Sequence, residues 1–111
     1  MEIDVNTAKR WLDQGRTETG RSLAFLDCRE PSEYDTAHIE GAELIPMSQW
    51  PPSVDQLNQW KDKQVVVHCH HGGRSLRVVR WFRQNGFEDA LSMAGGIDQW
   101  SMDIDTQVPR Y

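Results

Sequence analysis

The chain is poor in cysteine. Cys28 and Cys69 are the only two, far apart and in no CxxC pair. That excludes a disulfide framework and leaves two thiols expected to be reduced. No apolar run approaches the roughly 20 residues needed to cross a bilayer, so no membrane partner is expected. The opening Met-Glu-Ile-Asp-Val-Asn lacks the basic and apolar regions of a signal peptide, so a cytoplasmic location is expected. Basic residues are outnumbered by acidic ones, 12 to 17, and the net charge of −5 argues against general nucleic-acid binding. There is no internal repeat and no low-complexity stretch. A chain of 111 residues fits a single domain over residues 1–111. A chain of this size buries roughly 65% of its unfolded surface, enough for one core without staples.

What the chain does have is an alternation of strand-like and helical stretches. Glu2-Ile3-Asp4 reads as a short strand. Asn6 or Thr7 is the expected cap of a helix running to about Asp13 and stopped by Gly15. Residues 15–22 are a polar loop. Leu23–Cys28 reads as a strand buried on both faces. Pro31 suits the first turn of a short helix with acids at its favoured end. Glu43–Ile45 is a second short strand, stopped by Pro46. Ser53 caps a helix through Trp60. Val65–His68 is the central strand, followed by a helix from Ser75 to about Asn85 with Gly86 as its stop. Ala90–Met93 is a last strand and Ile97–Trp100 a last short helix. Strands alternating with helices imply parallel βαβ units, whose sites lie beyond the carboxyl ends of the strands.

The chemistry concentrates in Val65-Val66-Val67-His68-Cys69-His70-His71-Gly72-Gly73-Arg74-Ser75. A strand, a short loop and a helix aim backbone N–H groups at the centre of the loop, where a Cys69 thiolate would be held. A free thiol is only a few per cent thiolate at neutral pH, and N–H groups, a helix N-terminus and a cation all favour the anion. Gly72 and Gly73 are expected to supply the unusual φ values of such a loop. Arg74 carries a planar fork suited to the loop's carbonyls or to an anionic donor, and sits where a helix mildly disfavours a cation. Four consecutive residues from His68 to His71 cannot converge on one ion, so no metal and no cofactor are expected. His70 and His71 are expected at the pocket mouth, favouring anions when protonated.

These residues resemble the active-site loop of the rhodanese sulfurtransferases. Two further stretches carry the same resemblance. One is Leu26-Asp27-Cys28-Arg29-Glu30-Pro31-Ser32-Glu33-Tyr34 with Ala37-His38-Ile39-Glu40-Gly41-Ala42. The other is Ala94-Gly95-Gly96-Ile97-Asp98-Gln99-Trp100. The resemblance implies a five-stranded, mostly parallel α/β sheet flanked by helices on both faces. It also implies transfer of a sulfane sulfur from a donor such as thiosulfate to cyanide or a thiol, through a persulfide on Cys69. Cys69 and Arg74 would be catalytic. His70, His71, Gly72, Gly73 and Ser75 would form the loop, with Ser75 bonded to it or to Asp27. Asp27 and Arg29 would organise the site through an ion pair. The partners would be a small anionic sulfur donor and a thiol or protein acceptor.

Four residues separate Cys69 from Arg74, where cysteine phosphatases carry five, and a shorter loop suits one sulfur better than a phosphate. A small cysteine phosphatase or arsenate reductase is one alternative. A non-catalytic binding module is another, and the presence of Cys69 and Arg74 counts against it. Cys28 stands where this family more often has valine and reads as a buried apolar residue rather than as a resolving partner for Cys69. His38 and His68 read as structural. Charge is uneven: residues 27–43 hold six acids and one base, whereas residues 74–83 hold four arginines and no acid. Arg77 and Arg80 form a solvated helix side near the loop, suited to attracting thiosulfate.

Overall fold

A computed structural model describes residues 1–111. Its elements are β1 (Glu2–Ile3), α1 (Val5–Gln14), β2 (Leu23–Asp27), α2 (Pro31–Thr36), β3 (Glu43–Leu44), a 3-10 turn (Met47–Gln49), α3 (Val54–Trp60), β4 (Gln64–His68), α4 (Gly73–Gln84), β5 (Leu91–Met93) and α5 (Gly96–Asp103). The five strands form one sheet in the order β1-β5-β4-β2-β3, with every pairing parallel.

β4 is central because its side chains allow it. Val65, Val66 and Val67 are 1%, 1% and 0% exposed, and β-branched residues suit a strand with apolar layers on both sides. Alternate residues face opposite layers. Val65 and Val67 join Ala24, Leu26, Trp60, Val78, Val79 and Phe82 in one cluster. Val66 joins Phe25, Val5, Ala8, Trp11, Ile97 and Trp100 in the other. Thus α3 and α4 cover one face, α1 and α5 cover the other, and the expected α/β architecture is the observed one.

Local signals set the helix boundaries, with differences from expectation at α1, at α4 and at α5, which runs to Asp103 and not Trp100. α1 is capped by Asp4, whose carboxylate accepts a 2.7 Å bond from the Thr7 N–H, not by Asn6 or Thr7. The helix starts early because Val5, 3% exposed, is drawn into the core. Gly15 ends it at φ 71°, as expected. Ser53 caps α3 in a reciprocal arrangement with Gln56. α4 begins at Gly73, two residues before the expected Ser75, so Arg74 and Ser75 both lie in its first turn.

The chain leaves β2 toward one edge of the sheet and leaves β4 toward the other. The topological switch therefore falls between the carboxyl ends of β2 and β4, where a crevice opens in sheets of this kind. Asp27, Cys28 and Arg29 stand at one side of it, His68 and Cys69 at the other.

Candidate active site

Cys69 follows β4 directly and is 1% exposed. Its Sγ accepts a hydrogen bond from the Gly72 N–H at 3.0 Å and lies 3.4 Å from the Ser75 hydroxyl. The Ser75 hydroxyl also reaches the Gly72 carbonyl at 3.1 Å and the Ser92 hydroxyl at 2.7 Å. Ser75 thus belongs to the loop and β5 and has no bond to Asp27. Gly72 takes φ 115°, which lets the chain turn back so that its N–H meets the sulfur. Gly73 has an ordinary helical conformation, contrary to the expectation that both glycines are required for φ.

Cys28 is the unexpected member of the site. β2 and β4 pair with Asp27 opposite His68, and the ladder continues through the Cys28 N–H to the His68 carbonyl at 3.1 Å. Cys28 is therefore opposite Cys69 and on the same face, in the same apolar cluster. Its thiol is the hydrogen-bond donor that most favours the Cys69 thiolate, followed by Ser75 and the Gly72 N–H; together they outweigh burial and bring the Cys69 pKa from 9.0 to about 4. The same contact and burial push the Cys28 thiol far up.

Arg74 does not bind the loop's carbonyls. Its fork grips the Glu33 carboxylate at 2.6 and 2.9 Å. The guanidinium holds the Glu33 pKa down at about 2 despite partial burial. Glu33 also accepts a 2.8 Å bond from the Tyr111 hydroxyl. Arg29, fully buried, grips Asp27 at 2.9 and 2.7 Å and gives its remaining donors to the Ala37 and Glu33 carbonyls and the Tyr111 hydroxyl. A buried ion pair survives only when its hydrogen-bonding capacity is met, and Arg29 meets it by fastening the end of β2 to α2.

His70 stacks on Tyr111, with ring centres 3.9 Å apart and planes 7° apart, and also contacts His71. Burial and then the neighbouring His71 push the His70 pKa down, so it favours the neutral form and attracts anions only once protonated at lower pH. His71 is exposed, 3.9 Å from the Asp98 carboxylate. His68 is fully buried beside Asp27, and burial keeps it neutral, consistent with a structural residue. Cys69, His70, His71, Gly73, Arg74 and Arg77 line an open pocket over the loop. No group of His, Cys, Asp and Glu side chains converges to hold a metal ion.

The loop is held from behind by α5. The Ile97 and Asp98 N–H groups donate to the Cys69 and His70 carbonyls at 2.9 and 3.1 Å. Gly96 makes this possible: a Cβ there would lie 2.4 Å from the His70 carbonyl oxygen and 2.5 Å from that of Cys69. Glu33, Tyr111, Ser92 and Gly96 were not singled out from the sequence as site residues. Their only signals were places in the upstream and downstream motifs for Glu33 and Gly96 and, for Tyr111, the tail Val108-Pro109-Arg110-Tyr111, which resembles the endings of stand-alone bacterial members; Ser92 carried none.

The rhodanese-like domain model matches residues 4–103. The chain belongs to the rhodanese-like family. Among curated relatives, the probable adenylyltransferase/sulfurtransferase MoeZ of Mycobacterium tuberculosis is 35% identical over 98% of this chain. The putative sulfur carrier protein YrkF of Bacillus subtilis is 30% identical over 90% of it. The chain spans only 26% of MoeZ and 50% of YrkF. Among solved structures, a rhodanese-like domain protein from Staphylococcus aureus is 30% identical, with a TM-score of 0.72 over 90% of this chain and 91% of that one. This rhodanese-like chain has no helix long and apolar enough to cross a membrane.

Proposed function

We propose that the protein is a sulfurtransferase that carries sulfane sulfur on Cys69. The observation supporting this most strongly is the Cys69 sulfur itself, bonded to the Gly72 N–H and the Ser75 hydroxyl beside the Cys28 thiol, with its pKa brought down to about 4. Such a sulfur is a thiolate at neutral pH. It attacks the outer sulfur of thiosulfate; the S–S bond breaks, sulfite leaves, and Cys69 becomes a persulfide. Cyanide or an acceptor thiolate then attacks the outer sulfur, and Cys69 departs as thiolate. Arg74 and Arg77 face the pocket through which an anionic donor arrives, while Glu33 holds the Arg74 fork in place. The domain, read as one unit over residues 1–111, needs no cofactor for either half-reaction, and both suit a reducing compartment such as the cytoplasm.

The four-residue loop favours sulfur over phosphate transfer, since its Gly72 N–H already meets the cysteine sulfur at 3.0 Å. Thiocyanate formation from thiosulfate and cyanide tests the reading. The wild type should turn over, Cys69→Ser should not, and neither should hydrolyse p-nitrophenyl phosphate. Phosphate release without thiocyanate would replace sulfur transfer with the phosphatase reading; neither activity would favour a binding module.

A further inference from the structure

We infer that Cys28 is a resolving thiol, which attacks the Cys69 persulfide from the core side, forms a Cys28–Cys69 disulfide and expels the outer sulfur as sulfide. The inference rests on the sulfur-carrying role of Cys69 proposed above and adds a second outcome for the same persulfide.

The placement of the two cysteines carries it. They follow the paired residues Asp27 and His68 on adjacent parallel strands and share one apolar cluster. Adjacent strands lie about 4.8 Å apart. That is within the roughly 4.4–6.8 Å of Cα separation that a disulfide bridges. The two buried thiols also perturb each other's ionisation, Cys69 downward and Cys28 upward. Both cysteines are 1% exposed, but Cys69 lines the open pocket and Cys28 does not. A sulfur added to Cys69 goes to the pocket side, where there is room. Cys28 then faces the inner sulfur from behind the new S–S bond, the direction from which a displacing thiol must come.

The step balances without an external oxidant. The Cys28 sulfur bonds to the Cys69 Sγ while the bond from that Sγ to the outer sulfur breaks. The Cys28 thiol gives up its proton as it attacks, and the outer sulfur takes one up from solvent in the open pocket and leaves as hydrosulfide. The sulfane sulfur is reduced and the two cysteine sulfurs are oxidised. Burial and the neighbouring Cys69 raise the Cys28 pKa, so loss of its proton sets the pace of the step. The disulfide returns to two thiols with an external dithiol, the class of reductant that turnover would need.

The test uses the reduced chain under anaerobic conditions, loaded with thiosulfate and freed of small molecules. Sulfide is measured together with intact mass and peptide maps. In the wild type, the extra sulfur on Cys69 should disappear as sulfide is released and a peptide linking Cys28 to Cys69 accumulates. In Cys28→Val and Cys28→Ser, the persulfide should form on Cys69 and persist, its lifetime longer by about tenfold or more, because an internal thiol at high effective concentration has been removed. Wild-type persulfide as durable as that of the variants, without sulfide, would overturn the resolving role alone. Absence of sulfur on Cys69 in all three proteins would overturn the sulfur-transfer reading beneath it.

Discussion

The Cys28 thiol, just past the end of β2, is the first cause of the lowered Cys69 pKa, ahead of Ser75 and the Gly72 N–H. Alkylation by iodoacetamide, followed peptide by peptide against pH, should give a Cys69 midpoint near 4, with Cys28 slow throughout. Cys28→Val should move the Cys69 midpoint upward, because the first of the hydrogen bonds to the thiolate is gone. The linkage has a definite sign. The folded pKa lies below the ordinary 9.0, so the thiolate contributes stability that is full above 9.0 and lost as pH falls through about 4. The denaturant midpoint of wild type relative to Cys69→Ser should therefore rise across that window under reducing conditions. For Glu33 the window runs from 4.5 down to about 2, and wild type minus Glu33→Gln should lose stability as pH falls through it. Arg74→Lys keeps a charge but cannot grip both Glu33 oxygens, and sulfur transfer should fall about tenfold or more as the pocket loosens. Cys69 and Arg74 were legible in the sequence because loop chemistry is local. Glu33 was not, because Arg74 lies 41 residues away in the chain and only the fold brings them together; Cys28 was visible but read as a buried apolar residue, since its place opposite Cys69 depends on strand pairing.

The loop works because two helices meet it. α4 begins at Gly73 and turns its first residues toward the sulfur; α5 begins at Gly96 and ties down the Cys69 and His70 carbonyls. Gly96→Ala places a methyl group against both carbonyl oxygens and should displace the loop. Thiocyanate formation should fall, and the melting temperature with it. Gly73→Ala meets nothing within 4 Å and has no positive φ, so stability and activity should stay close to wild type. Equal losses in the two variants would show that the contact behind the loop does not set its shape. Inserting one glycine between Gly73 and Arg74 should cut sulfur transfer sharply, since the Gly72 N–H and the start of α4 would no longer share one sulfur. The order of strands and helices was readable from periodicity and turn residues. The first turn of α1 and the start of α4 were not, because burial of Val5 and packing over β4 decided them.

Across the molecule, charge and the last residues of the chain shape access to the pocket. Arg77, in α4, faces the pocket in a protein whose net charge is −5. Arg77→Glu should raise KM for thiosulfate far more than it changes kcat, and added salt should narrow the difference. Arg110 pairs with Asp98 at 2.9 Å, and Tyr111 covers His70 while bonding Arg29 and Glu33. Tyr111→Ala should expose His70 and raise its pKa in an NMR titration, because burial is the main cause of its depression. The α/β class followed from alternating strands and helices, but no local pattern marks Tyr111 as part of the site. The most direct measurement is of Cys69 itself. Thiosulfate-treated protein, trapped early and mapped by peptide mass, should carry one additional sulfur on Cys69, removed by cyanide. The same sulfur on Cys28, or a Cys69→Ser protein that forms thiocyanate at the wild-type rate, would contradict the assignment of Cys69 as the sulfur carrier.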